Sequence, residues 1–387
     1  MPMQKSVLSF SVAAAALAMS GLASAQQAAT PAAPAAPTLD KVLEASGLAV
    51  TGYIDTGYTH ANRDLETGFS PRVFDSQNNS FVLHQVGLQV AKQPKEGFGG
   101  LVNVTMGRDA ALIHSFDTTT ESQFDVTQAY GQYASGPLTV IVGKFTTLVG
   151  TEVIWSPSNT QASRSILFGA SPFTHTGVRA TFAMNDMFSF TAGLNNGWDQ
   201  VKDSNKDKTL ELGATLTPIK ALSLSGSYYT GKETVPLATP GAPDGTRNSL
   251  DLLGSYSLGD KLSFGLEYLK VTQENAADLI NGGSMKATYS GEAAYVKYMF
   301  TPKWSAALRL EAFDDKDGLR FGLPAGTTTA SKYKESTFTV GWLPADNFEV
   351  RGEFRMDKAN NEVFTDTSGG NPSKSLTTYA VQVLYKF

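Results

Sequence analysis

The sequence predicts an all-β fold, a transmembrane antiparallel up-and-down β-barrel of about sixteen strands. Three observations lead to this prediction. From Leu48 onward, apolar residues occupy every second position in many successive segments. Short connections rich in turn residues alternate with long polar ones, among them residues 271–287. Aromatic residues lie near both ends of the predicted strands, as at the two interfaces of a membrane.

The alternation is clearest in FEVRGEFRM, residues 348–356, where one parity is apolar or small and the other is charged. A helix would distribute these charges around its circumference, whereas a strand separates them onto one face. A soluble β-sandwich would also show period two. Long loops on every second connection, two aromatic belts and a polar opposite face favour the barrel, with short periplasmic turns and long external loops.

The first residues predict export. Lys5 precedes an apolar alanine-rich run that is too short to span a bilayer, and Ala23-Ser24-Ala25 has the form of a cleavage site. We expect a signal peptide over residues 1–25, an Ala/Pro-rich periplasmic tether over 26–47 and the barrel over 48–387. Without Lys5, the chain has 30 basic and 36 acidic residues, a net charge of −6. The sequence has no basic cluster, which argues against nucleic acid as a partner.

The chain ends in TTYAVQVLYKF, a two-faced strand that would invite aggregation if its edges were free. In a closed barrel this strand pairs with the first one, so no edge remains. Tyr385 and Phe387 would face lipid. A terminal phenylalanine after alternating apolar residues resembles the signal by which such chains reach the outer-membrane insertion machinery.

The third long loop, residues 146–174, is the longest, and its apolar residues suit packing against the inner wall of the barrel. We expect it to fold inward, with Glu152 and Arg164 at a pore constriction. The alternative is an external loop that folds on itself or contacts another subunit.

Charged residues on the polar parity should face the lumen, because a charge on the lipid face at mid-membrane costs ~2–4 kcal/mol for arginine or lysine. They either select solutes or stiffen the wall as ion pairs. These predicted pore-lining residues are Arg179, Glu211, Asp251, Glu267, Arg309, Glu311, Glu349, Arg351, Glu353 and Arg355.

Catalytic and metal sites are not indicated. The four histidines are far apart in the sequence, and no nucleophile–base spacing recurs. The segment DDKDG (314–318) lacks the spaced ligands and the final glutamate of a calcium loop. We therefore predict no catalytic residue, no metal and no cofactor.

Several motifs carry a resemblance to a known family. They are Arg164-Ser165, the stretch from Pro172 to Arg179, Asn196-Gly197-Trp198-Asp199, SGLAVTGYIDTGY (46–58) and QAYGQY (128–133). With these, the sequence resembles the putative β-barrel porin-2 (OmpL-like) family of Gram-negative porins. The resemblance implies an outer-membrane porin without a known substrate.

The barrel predicts passive diffusion of small hydrophilic solutes and ions through a water-filled lumen narrowed by loop 146–174. Two alternatives stay open: a channel biased towards sugars or peptides, and a non-conducting structural or adhesion barrel. The expected partners are outer-membrane lipid, the solutes and ions, and the insertion machinery. The sequence leaves both a monomer and a homotrimer open.

Overall fold

The computed structural model describes residues 38–63, 71–77, 79–115, 122–234, 244–324, 326–365 and 371–387. The predicted signal peptide and residues 26–37 of the tether lie outside these ranges and stay predictions. Helix α1 (Leu39–Ser46) lies in the remainder of the predicted tether.

Sixteen strands form one closed barrel in which every neighbouring pair is antiparallel, so the predicted fold class and strand count are confirmed. The strands are β1 (Ala49–Ala61), β2 (Ser80–Lys92), β3 (Gly97–Met106), β4 (Phe124–Ser135), β5 (Leu138–Thr146), β6 (Thr174–Ala183), β7 (Phe188–Asn195), β8 (Thr209–Ile219), β9 (Leu222–Glu233), β10 (Gly245–Leu258), β11 (Leu262–Ala277), β12 (Ser284–Thr301), β13 (Trp304–Asp314), β14 (Lys332–Ala345), β15 (Phe348–Ala359) and β16 (Ser375–Lys386).

Two further short helices lie in the connections, α2 (Ala110–Ile113) and α3 (Ile166–Ala170), together with a 3₁₀ turn at Ser156–Ser158. Within the described residues, no helix has the length and apolarity needed to cross a membrane.

The seam between β1 and β16 closes the barrel. Its register runs from Tyr53 opposite Lys386 to Ala61 opposite Thr378. At the seam's end, Gly52 and Phe387 exchange backbone hydrogen bonds of 2.8 and 2.9 Å. The closing strand therefore has both edges paired, as the sequence predicted, since β15 takes the other edge.

The two faces of the strands differ as predicted. On β13, Leu308 and Leu310 are exposed on the outside, whereas Arg309 between them is fully buried inside. Outward aromatic residues stand near the short turns, among them Trp304 and Trp342, whose rings stack at 5.6 Å. A second outward set, including Tyr228, lies near the long loops. This arrangement matches the aromatic belts of a membrane barrel.

One predicted loop is wrong. The polar stretch 271–287 was expected to be a long connection, but β11 continues to Ala277 and β12 begins at Ser284. The strands are 16 and 18 residues long and leave only residues 278–283 between them. The ends of both strands next to this connection extend beyond the aliphatic band of the barrel. There the outer face no longer has to be apolar, and Glu274 is exposed.

Candidate functional site

Loop 3, which we define as residues 147–173 between β5 and β6, folds into the barrel as predicted for 146–174. Its helix α3 is buried throughout, although it belongs to a connection and not to a strand. Ser165 caps this helix, because its hydroxyl accepts a hydrogen bond from the N–H of Phe168 at 3.0 Å. Ile166 and Leu167 of α3 belong to the main apolar cluster of the interior.

Carboxylates of the barrel wall hold loop 3 by its backbone. They accept hydrogen bonds from N–H groups at three places along the loop, so the side chains of the loop are left to pack elsewhere. The bonds join Asp251 to Gly150 (3.0 Å), Glu267 to Thr151 (2.9 Å), Glu353 to Ala162 (2.7 Å) and Ser163 (3.0 Å), and Glu311 to Ile166 (2.9 Å) and Leu167 (2.6 Å).

Wall arginines hold the same loop by its carbonyl groups, which complements the carboxylates. Because a guanidinium has five N–H donors, each arginine can serve the loop and a wall partner together. The bonds run from Arg309 to the carbonyl of Ser163 (3.1 Å), from Arg351 to that of Gln161 (3.1 Å) and from Arg355 to that of Arg164 (2.5 Å).

Arg309 is the centre of a buried ion network. Its Nε lies 2.9 Å from Glu335 on β14, and its Nη1 lies 2.7 Å from Glu152 of loop 3. Arg355 is similarly paired with Asp357 at 2.7 Å. Sequence reasoning missed Glu335 and Asp357, although both lie on the inward parity of their strands and that signal was sufficient to find them.

The two residues predicted at the constriction are both buried and hydrogen-bonded within the protein. Glu152 accepts from Arg309 and from the Ser165 N–H. Arg164 is 2% exposed, donates to the carbonyls of Val153 and Ile154, and lies 5.4 Å from the ring centroid of Phe74. Their role at a constriction stays a prediction, and in this structure they fix the shape of loop 3.

The remaining predicted wall charges are also paired. Arg179 forms a bidentate pair with Glu211, and its guanidinium lies 4.2 Å from the ring centroid of Phe145. Glu349 accepts from Arg351 at 2.8 Å and is half-buried. All ten predicted wall charges therefore have partners, and nine of the ten are buried. This favours the stiffening role over solute selection.

The first external loop packs on loop 3 and on strand β15, which the sequence did not predict. Arg72 donates to Asp357 at 2.7 Å, and the ring of Phe74 packs on that of Phe168 with centroids 5.4 Å apart. Ile113 of α2 belongs to the same small apolar cluster. The first external loop and helix α2 thus pack against Ile154 and Phe168 of loop 3.

A cavity of about 230 Å³ remains between loop 3 and the opposite wall. The wall contributes residues of β2 to β5, and the loop contributes apolar and small residues. The lining residues are Gln89, Asn103, Thr127, Gln128, Thr146, Thr147, Val149, Gly150, Glu152, Val153, Ile154, Trp155, Phe168, Ser171, Pro172 and Phe173. Among the described residues there is no group of three or more side chains arranged to hold a metal ion.

Residues 47–387 match the family described as putative β-barrel porin-2, OmpL-like. The chain belongs to this porin family. The predicted family is thereby confirmed, and the chain is an outer-membrane porin. No curated protein matches it in sequence.

Solved structures share the porin's fold. The outer-membrane channel DcaP of Acinetobacter baumannii is 14% identical with a TM-score of 0.60, over 88% of this chain and 97% of the other. An anion-selective porin from Comamonas acidovorans is 13% identical with a TM-score of 0.59, over 88% and 99%. OmpT of Vibrio cholerae is 13% identical with a TM-score of 0.59, over 88% and 97%. At such identities the likeness concerns the fold alone.

The porin's loop 3 is anchored at its far end by Asp199, in the Asn-Gly-Trp-Asp motif after β7. Its Oδ1 accepts from the N–H groups of Phe173 and Thr174 at 2.7 and 2.8 Å. Burial raises the pKa of the Asp199 carboxyl from 3.8 to about 6, although the N–H groups of Thr174 and Phe173 lower it. The ionised carboxylate is therefore held at a cost to the folded state.

We expect Asp199→Asn to stabilise the porin at pH 8 and to lose this effect towards pH 4. Asparagine retains the Oδ1 acceptor that makes both bonds. Because the folded pKa lies above the unfolded one, the stability contributed by Asp199 is full below about 3.8 and is lost as the pH rises through about 6. Urea midpoints of the detergent-folded barrel at pH 4, 6 and 8 measure this difference.

Asp203→Asn is the matched control in the same loop. Slight burial raises the pKa of Asp203, but its hydrogen bond with Lys208 outweighs this, and the pKa lies below its usual value. Its substitution should not stabilise the porin at any of the three pH values. An Asp199→Asn effect of equal size at pH 4 and pH 8 would contradict the explanation from burial.

Proposed function

We propose that this porin is a passive diffusion channel for small hydrophilic solutes and ions, in which loop 3 narrows the lumen from one side. One observation carries the proposal: loop 3 is bound along the wall of β10 to β15, while the cavity remains against β2 to β5. A loop fixed by its backbone to one wall leaves a defined passage along the other.

The pairing of the wall charges implies weak ion selectivity. Arg179 and Arg309 are already paired with carboxylates, and the carboxylates that hold loop 3 are covered by its backbone N–H groups. Selectivity from rings of charge requires unpaired charges at the constriction. The porin from Comamonas acidovorans is described as anion-selective; for this chain we propose a smaller preference between cations and anions.

Export by a cleaved signal peptide, insertion into the outer membrane of a Gram-negative bacterium by the insertion machinery, and contact with its lipid are part of the proposal. OmpT of Vibrio cholerae has been solved in a trimer form, and we propose a homotrimer for this porin by analogy. The absence of catalytic activity stays a prediction, consistent with a family and fold of channels.

We expect the purified porin to conduct ions in a planar lipid bilayer, with a reversal potential near zero in a KCl gradient. Paired wall charges are the physical reason for the small potential. Folding is checked by a heat-modifiable band on a gel. Folded protein without any conductance would reject the channel and leave the structural or adhesion barrel. A reversal potential close to that of a single ion would reject the weak selectivity alone.

A further inference from the structure

We propose that the cavity between loop 3 and the β2–β5 wall binds neutral polyhydroxylated solutes, small sugars, on their way through the barrel. This inference rests on the proposed channel function and names the solute class that the passage favours. The cavity presents two unlike surfaces to a solute, one made of amides and the other of aromatic and aliphatic side chains.

The wall side offers neutral hydrogen-bonding groups that the protein does not use. The side chain of Gln89 makes no hydrogen bond within the described part of the chain, although its backbone is paired in the sheet. Asn103 uses one amide atom, on the carbonyl of Leu88 at 3.3 Å. Gln128 uses its amide oxygen, which accepts from Thr146. Since an amide has donors and an acceptor, the groups left over match hydroxyl groups, which also donate and accept.

The loop side offers an apolar surface that is held in place. Trp155 is half-buried and packs edge-to-face on Tyr53, with ring centroids 4.4 Å apart. Val153 beside it is 40% exposed, although most of loop 3 is buried. An aromatic ring packs well against the C–H face of a sugar, and the indole N–H gives a polar atom at the ring's edge.

Among the described residues, the cavity offers a solute no unpaired charge. Glu152 is the one ionisable side chain on the cavity's lining, and both of its oxygens are occupied, by Arg309 and by the N–H of Ser165. A charged solute would lose part of its hydration there without gaining a counter-charge, whereas a neutral solute exchanges water for amide groups. The cavity therefore favours neutral over charged solutes of similar size.

Size agrees with a small ligand. The volume of about 230 Å³ lies below the range of roughly 300–1,000 Å³ that is usual for drug-sized ligands. This suits one sugar ring or part of a short oligosaccharide that threads through the barrel.

The test is the current through the porin in a planar bilayer with glucose added, and with gluconate as the charged analogue. We expect glucose to reduce the current in a concentration-dependent way, and gluconate to do so more weakly. Trp155→Ala should raise the half-blocking glucose concentration about tenfold, the loss expected for one aromatic contact. Trp342→Ala, on the lipid-facing side, is the matched control and should leave it unchanged.

Gln89→Ala provides a second variant on a different element, so the result does not depend on the fold of loop 3. It should raise the half-blocking concentration severalfold. Conductance without any effect of glucose, or a stronger block by gluconate, would overturn the sugar inference and leave the channel standing. Absence of conductance in folded protein would overturn both.

Discussion

Replacing Arg309 with methionine is expected to release loop 3 from the barrel wall while the barrel stays folded. Arg309 is fully buried and contacts Glu335 at 2.9 Å, Glu152 at 2.7 Å and the carbonyl of Ser163 at 3.1 Å. Removing one partner of a buried ion pair costs about 3–5 kcal/mol, because the remaining charge has no compensation. Here two carboxylates would lose their common partner.

The loss should appear in the loop and not in the strands. Glu152 belongs to loop 3 and Glu335 to the wall, so moving the loop away lets water reach both carboxylates. The β13–β14 ladder is continuous, and the β12–β13 ladder shifts register only between Met299 and Thr301, so neither is interrupted at Arg309. We therefore expect a folded barrel with a larger conductance.

Trypsin gives a direct measurement, because Arg164 is the single lysine or arginine in loop 3. It is buried in the parent protein and should resist cleavage. Arg309→Met should make it cleavable in the folded protein, and Arg309→Lys should do so partly, since one ammonium cannot replace the guanidinium fork. Protection of Arg164 with unchanged conductance in Arg309→Met would contradict the anchoring role.

Lys332→Met is the matched control for a charge of the same sign. Lys332 pairs with Asp314 at 2.7 Å, but its side chain is 68% exposed. Exposed pairs contribute ~0–1 kcal/mol. The control should neither expose Arg164 to trypsin nor change the conductance.

The barrel was predictable from the sequence because the alternation of apolar and polar residues can be recognised within each strand separately. In FEVRGEFRM the charged residues share one parity, which identifies the face towards water. The other face contacts lipid and must be apolar. The same rule fixed the closing strand, since an unpaired edge is not tolerated in a membrane. Residues 271–287 extend beyond the lipid-facing band, so their outer face need not be apolar and the alternation is lost. The prediction of a long connection there was therefore wrong.

The site was predictable only in part. Parity showed that Glu311 and Arg309 point inward, but not what they contact there. Glu311 binds backbone N–H groups of loop 3, and Arg309 binds a loop carbonyl in addition to its two carboxylates. A backbone N–H or carbonyl leaves no mark in the sequence. The inward residues of β13 to β15 are mainly charged and those of β2 to β4 include several amides, which the sequence shows. That loop 3 binds the charged wall and leaves a cavity at the amide wall could be learned only from the structure.

Deleting Phe387 is expected to reduce strongly the amount of porin assembled in the outer membrane, with a small effect on the stability of the barrel once it has formed. Phe387 exchanges two backbone bonds with Gly52, but its ring is 48% exposed and contributes little burial. If the residue acts as a destination signal, it is needed while the chain is unfolded and not afterwards. Heat-modifiable porin in outer-membrane fractions, compared with refolding in detergent, separates these two stages.

Gly52→Ala distinguishes a signal from a seam contact. A Cβ at Gly52 would lie 2.5 Å from the Phe387 ring, so the ring must move, but the unfolded chain keeps its final phenylalanine. We expect this variant to assemble in cells almost normally and to lose some stability in detergent. Tyr379→Ala, on the lipid face of the same strand, controls for the loss of an aromatic ring. Equal assembly defects in Gly52→Ala and the Phe387 deletion would mean that seam closure limits assembly, since only the deletion removes the signal. Equal yields of the deletion and the parent in cells would remove the signal role from Phe387 altogether.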